Sequence, residues 1–189
     1  MSNLINLCCS SMIILLSLTA SAAPPQFEVD EELLLILKHA IEASDSFDDK
    51  YDAQVWLMDK SPRMSRFNKD PDQRLSLLRS IHRAATRADL NPEVVLAVIE
   101  VESHFNRYAV SRVGAQGMMQ VMPFWKNEIG RSSDNLIDLE TNLRYGCTIL
   151  KHYIKRSNGH LANALARYNG SYGSYKYSMK VMDAWDKWK

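Results

Sequence analysis

Cysteine is scarce in this chain, and its placement makes it scarcer. Of three cysteines, Cys8 and Cys9 lie near the N-terminus and Cys147 stands alone in the remainder. A single cysteine makes no intramolecular disulfide, so the fold has to be held by its core. Cys147 sits on an apolar stripe with no histidine or carboxylate at a useful spacing, and is expected to be a small buried hydrophobe. A large net charge is missing as well. The formal charge is +1, which gives no reason to expect nucleic acid as a partner. The charges are only mildly segregated: residues 23–89 carry about 10 basic and 13 acidic side chains, residues 90–189 about 13 and 9. A mildly basic second half would suit an anionic polymer, and an ordinary solvated surface would account for it too. The histidines, at 39, 82, 104, 152 and 160, form no H-E-x-x-H and no i, i+4 pair. No metal and no cofactor is therefore expected.

Long apolar runs are absent. The run around Met12–Leu18 is too short to span a bilayer. It follows a polar start and precedes Ala20-Ser21-Ala22, an A-x-A pattern, so residues 1–22 are expected to be a signal peptide cleaved after Ala22. No Lys or Arg precedes the run, and a short membrane anchor is the alternative. After cleavage no stable membrane insertion is expected.

Strand patterns and solenoid-length repeats are also lacking; what is present is helical. Residues 30–44, DEELLLILKHAIEAS, and residues 51–59 predict two helices, and the polar, proline-bearing stretch from Ser61 to Pro71 is the candidate junction. An N-terminal helical segment over 23–70 would then precede a domain over 71–189. Asp70-Pro71-Asp72-Gln73 has the form of a capping-box start, and Leu75, Leu78, Ile81 and Ala85 follow at helical spacing. Asn91-Pro92 opens the next helix, to about Ser103. Residues 138–159 form another, with Leu139, Leu143, Cys147, Leu150 and Ile154 on one stripe and a stop at Asn158-Gly159. HLANALARY and YSMKVMDAWDKW complete roughly seven helices, an all-α chain.

Within the 92–103 helix, two glutamates stand two positions apart. At 100° per residue, Glu100 lies about 20° from Glu93 and shares its polar stripe. Glu102 falls about 20° from Val95 and about 40° from Val98, on the apolar side. A carboxyl aimed at a core is costly to ionise, and its pKa should rise. Either Glu102 escapes to solvent or pairs with Arg107 near the helix end, or it is a proton donor held neutral near pH 7.

The residues that follow Glu102 carry a resemblance. Glu102-Ser103, Ala109-Val110-Ser111, Gly114-Ala115-Gln116-Gly117 and Met118-Met119-Gln120-Val121-Met122-Pro123 resemble, in order, the signature of the soluble-lytic-type (SLT) lytic transglycosylases. Met118 stands where that family usually has Leu, a volume-conserving exchange. NLRYGCTILKHYI at 142–154 is similar to the family's N-x-x-x-G helix, and ALARYNG at 164–170 to its A-x-Y-N-x-G element; the following YNGSYG departs from the usual pattern.

The resemblance implies a lysozyme-like helical domain with a sugar-binding groove that cleaves the β-1,4 bond between N-acetylmuramic acid and N-acetylglucosamine in peptidoglycan. Glu102 would be the single catalytic acid and then base. The muramic acid 6-hydroxyl would close on its own anomeric carbon to give a 1,6-anhydro end, a substrate-assisted route outside the two-carboxylate rule. Ser111 matches the serine near the acid and the acetamido group. Gln120 and Met122 match groove-lining positions, with core packing the plain alternative for Met122. Tyr168 matches the tyrosine facing the glutamate. Gly114 and Gly117 are expected to serve backbone geometry. Asp134 and Asp138 are the candidates for a second carboxylate, yet both have the look of turn or cap residues. The implied partner is peptidoglycan and the implied location the periplasm; a muramidase of the same fold and a non-cleaving peptidoglycan-binding assembly factor are the rivals.

Overall fold

The computed structural model describes residues 50–189; the expected signal peptide over 1–22 and helix over 30–44 lie outside the described residues. Seven helices occur among those described: α1 Lys50–Met64, α2 Pro71–Arg87, α3 Pro92–Ser103, α4 Trp125–Ile129, α5 Leu139–Arg156, α6 Leu161–Tyr168 and α7 Lys176–Trp188. Pairing of extended backbone among them is limited to isolated bridges, Val110 with Gln116 and Gln116 with Val121. The expected all-α class holds.

The helix starts follow the cap residues. Asp70 Oδ1 accepts from Gln73 N at 3.1 Å, Asn91 Oδ1 from Val94 N at 3.0 Å and Asp138 Oδ2 from Thr141 N at 3.0 Å, each satisfying an orphan first-turn donor. Gln73 returns its amide to the Asp70 carboxylate at 2.9 Å. α4 has no side-chain cap and was not expected from the sequence.

α1 runs past its expected end, through Pro62 to Met64. Leu57 and Met64, two turns apart on one helix face, are both fully buried, and that burial, about 1.5–3 kcal/mol per large apolar side chain, outweighs the backbone bond that the proline cannot make. α1 packs on α2, so the boundary at 70 falls between helices that share one core.

α3 is the axis of the molecule. Val94, Val95, Leu96, Ala97, Val98 and Ile99 are all buried, so the helix is covered on every side over its first two turns. It packs most extensively against α7, and also against α2. Even the stripe read as polar is covered: Glu93 accepts from Trp56 Nε1 at 2.7 Å, and Glu100 from Arg66 Nη2 and Trp188 Nε1 at 2.9 and 2.7 Å. No helix among the described residues is long and apolar enough to cross a membrane.

Candidate active site

Glu102 occupies the last turn of α3, and the way that helix stops decides where it faces. His104 caps the helix in the left-handed region (φ 51°), donating its N–H to Glu100 O at 3.1 Å, and Phe105 is left-handed too, at φ 62°. Such a conformation costs an aromatic residue about 1–3 kcal/mol. Burial of the Phe105 ring against Phe67 (4.7 Å) and Trp188 (5.7 Å) offsets it. The chain therefore turns sharply away just beyond Glu102 and leaves a cleft of about 440 Å³. Its walls come from Val101 and Glu102 on α3, Asn169 and Ser171 after α6, and Lys176, Tyr177 and Lys180 on α7.

Within this cleft Tyr177 Oη donates to Glu102 Oε1 at 2.6 Å. No ion pair reaches Glu102 among the described residues; Arg107 instead lies over the Tyr108 ring at 5.2 Å. Burial pushes the Glu102 carboxyl up to about 7, with the Tyr177 hydrogen bond pulling the other way. Burial, reinforced by Glu102, holds the phenols of Tyr168 and Tyr177 well above their ordinary value, so both remain donors. Because Tyr177 occupies Oε1, Oε2 is left to carry a transferable proton.

The loop from 109 to 121 is fixed by one buried side chain on α5. Asn142 Oδ1 accepts from Met119 N at 2.8 Å, and its Nδ2 donates to Gln116 O and Leu136 O at 2.9 and 2.8 Å. One turn on, Gly146 lets Met119 approach; a Cβ there would stand 2.3 Å from the Met119 sulfur. Gly117 combines φ +75° with a space that Asn142 and Leu136 fill, 2.3 and 2.5 Å from where its Cβ would be, so only glycine fits. Tyr168 Oη closes the arrangement by donating to Met119 O at 2.7 Å.

Residues 79–189 match the Transglycosylase SLT domain family. The chain belongs to that family. Among curated relatives it is 31% identical to the Transglycosylase of Enterobacteria phage PRD1, over 54% of this chain and 37% of that protein. It is 33% identical to the Membrane-bound lytic murein transglycosylase C of Yersinia pestis (strain Pestoides F), over 50% of this chain and 31% of that one. The chain thus spans about a third of the length of these relatives. It also resembles the structure of an inactive mutant of the lytic transglycosylase Slt from Pseudomonas aeruginosa, at 25% identity and a TM-score of 0.47, over 80% of this chain and 28% of that chain.

Set beside the residues expected to form an SLT-type site, the geometry is selective. Glu102 lines the cleft. Tyr168 stands near enough for Glu102's charge to act on it, but its hydroxyl holds the loop, and the tyrosine bonded to the acid is Tyr177. Sequence reasoning passed over Tyr177 as the start of a helix. The signal was available: Tyr177 is one turn before Val181 on the buried stripe, and a buried phenol needs a polar partner. Ser111 is half-buried in the loop, its Oγ accepting from Ala115 N at 3.0 Å, which leaves its proton to donate. Gln120, left-handed at φ 50°, directs its amide to Ala109 O and Gly117 O at 3.2 and 2.9 Å. Met122 is half-buried just beyond the bridge to Val121. Asp134 accepts from Tyr145 Oη and Arg144 Nη2 at 2.7 and 3.0 Å, and Asp138 caps α5.

Proposed function

We propose that the protein is a lytic transglycosylase of peptidoglycan, exported to the periplasm, with residues 1–22 as its signal peptide and 71–189 as its catalytic domain. One observation carries the chemical part of this reading: Glu102, neutral up to about pH 7, is the lone carboxyl lining the cleft among the described residues. A retaining or inverting hydrolase places a second carboxylate beside its acid. Here Asp134 and Asp138 are occupied in a turn and a cap. A single buried acid supports a route in which the substrate supplies both nucleophiles.

In that route Glu102 gives its proton to the glycosidic oxygen as the bond to the anomeric carbon breaks. The neighbouring acetamido oxygen bonds to that carbon and takes up the positive charge. Glu102, now a carboxylate, removes the proton of the muramic acid 6-hydroxyl, whose oxygen displaces the acetamido group. The product is the 1,6-anhydro sugar, Glu102 is protonated again, and no water is consumed. Ser111, with its hydroxyl proton free, suits the acetamido group. Gln120 and Met122 would shape the groove, Gln120 through the backbone it holds.

The test is digestion of purified sacculi followed by mass spectrometry of the released fragments. Ends in 1,6-anhydro-muramic acid are expected. Reducing muramic acid ends would make the protein a muramidase, and binding without release of fragments would make it an assembly factor.

A further inference from the structure

The cleft holds two charges that the proposed reaction does not use. Lys176 and Lys180 both line it, and neither forms an ion pair or hydrogen bond among the described residues. They are i, i+4 neighbours on α7, where like charges repel by a few tenths of a kcal/mol. In projection Lys180 falls between Lys176 and Tyr177, about 40° and 60° from them, so both lysines lie to one side of the phenol that touches Glu102, with Lys180 the nearer. The other acids of α7 leave them unneutralised: Asp186 is taken by Lys189 at 2.7 Å, and Asp183 makes no salt bridge among the described residues. Both lysines are exposed, whereas Tyr177 on the same helix is buried, which puts them at the mouth of the cleft rather than against the acid. Ser171 also lines the cleft, its Oγ buried with no hydrogen-bond partner among the described residues. An unpartnered buried hydroxyl beside two unpaired cations is a site that wants an anionic, hydrogen-bonding ligand.

We propose that Lys176 and Lys180 select glycan strands whose peptide stems carry free carboxylates, with Ser171 donating to the same group. This rests on the peptidoglycan reading above and names the part of the polymer that the mouth of the cleft recognises. Where stems are attached, the lactyl carboxyls of the glycan are bound as amides and the backbone is uncharged, so the two lysines would otherwise face only neutral sugar.

The test compares untreated sacculi with sacculi whose carboxylates have been converted to methylamides by carbodiimide coupling. Binding is read by co-sedimentation in the Glu102→Gln variant, where cleavage does not intrude. Untreated sacculi are expected to bind about fivefold more tightly, the worth of two exposed ion pairs, and the ratio should approach one in about 0.5 M salt. Adding Lys176→Ala and Lys180→Ala should bring the ratio to about one at low salt, while the paired Lys→Arg changes should keep it. A ratio unchanged by the alanine pair, or no preference in the parent, overturns the proposal. Wild-type digestion of untreated sacculi separates the two readings. If no fragments are released, the catalytic assignment falls, and the binding ratio still judges the lysines.

Discussion

Two carboxylates two residues apart on α3 have opposite neighbourhoods. Glu100 receives a guanidinium on both oxygens, at 2.9 Å each, and the Trp188 indole N–H at 2.7 Å. Glu102 receives one hydrogen bond from a neutral phenol and no cation. The residue type is the same and the backbone nearly so; what differs is which helix lies opposite. The turn just after α1 and the end of α7 bring a cation and a donor to the first, whereas the start of α7 brings Tyr177 to the second. Pairing makes a carboxylate part of the scaffold, and dry isolation makes a proton donor.

The most damaging way to break this comparison is Glu102→Gln, which keeps shape and loses the proton. Fragment release from sacculi should fall by about 10³-fold, within the range for removing a general acid. Stability should move the other way. The folded-state pKa is raised, from 4.5 to about 7, so the protein loses stability as pH rises between those values. Glutamine carries no such penalty. By thermal or urea unfolding the variant should match the parent near pH 4 and exceed it by about 3 kcal/mol at pH 8. A parent that gains stability over that interval relative to the variant would show that Glu102 is not dry.

Next in size is Asn142→Ala, which sharpens the comparison by asking what holds the loop beside Glu102. It leaves the Met119 N–H and two carbonyls without their partner. At about 1–3 kcal/mol for a buried unsatisfied group, with some relaxation, about 3 kcal/mol of stability should be lost in urea unfolding. A loss below about 1 kcal/mol would mean that the loop is held elsewhere.

Much of this was legible before any coordinates. Asp70, Asn91 and Asp138 announced three helices because a cap is a local event written in adjacent residues. Glu102 was visible as a carboxyl on an apolar arc because helical periodicity is also local. What escaped depended on contacts far apart in sequence. That Glu93 and Glu100 are covered follows from Trp56 on α1 and Arg66 just beyond it, 37 and 34 positions away. That Tyr177 rather than Tyr168 reaches Glu102 depends on where α7 crosses α3, 75 positions on. α4 was missed because a five-residue helix without a cap leaves no periodic trace.

Tyr177→Phe tests the phenol. The Tyr177 hydrogen bond favours the carboxylate, so removing it should raise the Glu102 pKa further. If Glu102 acts as an acid, the parent's rate declines as pH rises through about 7. In the variant that alkaline limb should shift upward by about one pH unit, and the rate on its acid side should drop by about tenfold or less. A limb that moves downward would mean that the phenol serves the neutral form of the acid instead.

The smallest effect is expected from Arg66→Ala, and it is the sharpest test of independence. The guanidinium side chain is about half exposed, at 49%, so its pairing with Glu100 is worth at most about 1 kcal/mol once solvent screening is counted. Part of any loss would come from its packing over Phe67 and Trp188, at 4.6 and 5.9 Å. Glu100 would keep the Trp188 N–H. Arg66 is not among the groups acting on Glu102, so the alkaline limb of the rate profile should stay near pH 7 while the melting temperature drops slightly. A shifted limb would mean that the two carboxylates titrate as one system across a single turn of α3, and that the proton on Glu102 is set by the scaffold side of the helix as much as by the cleft.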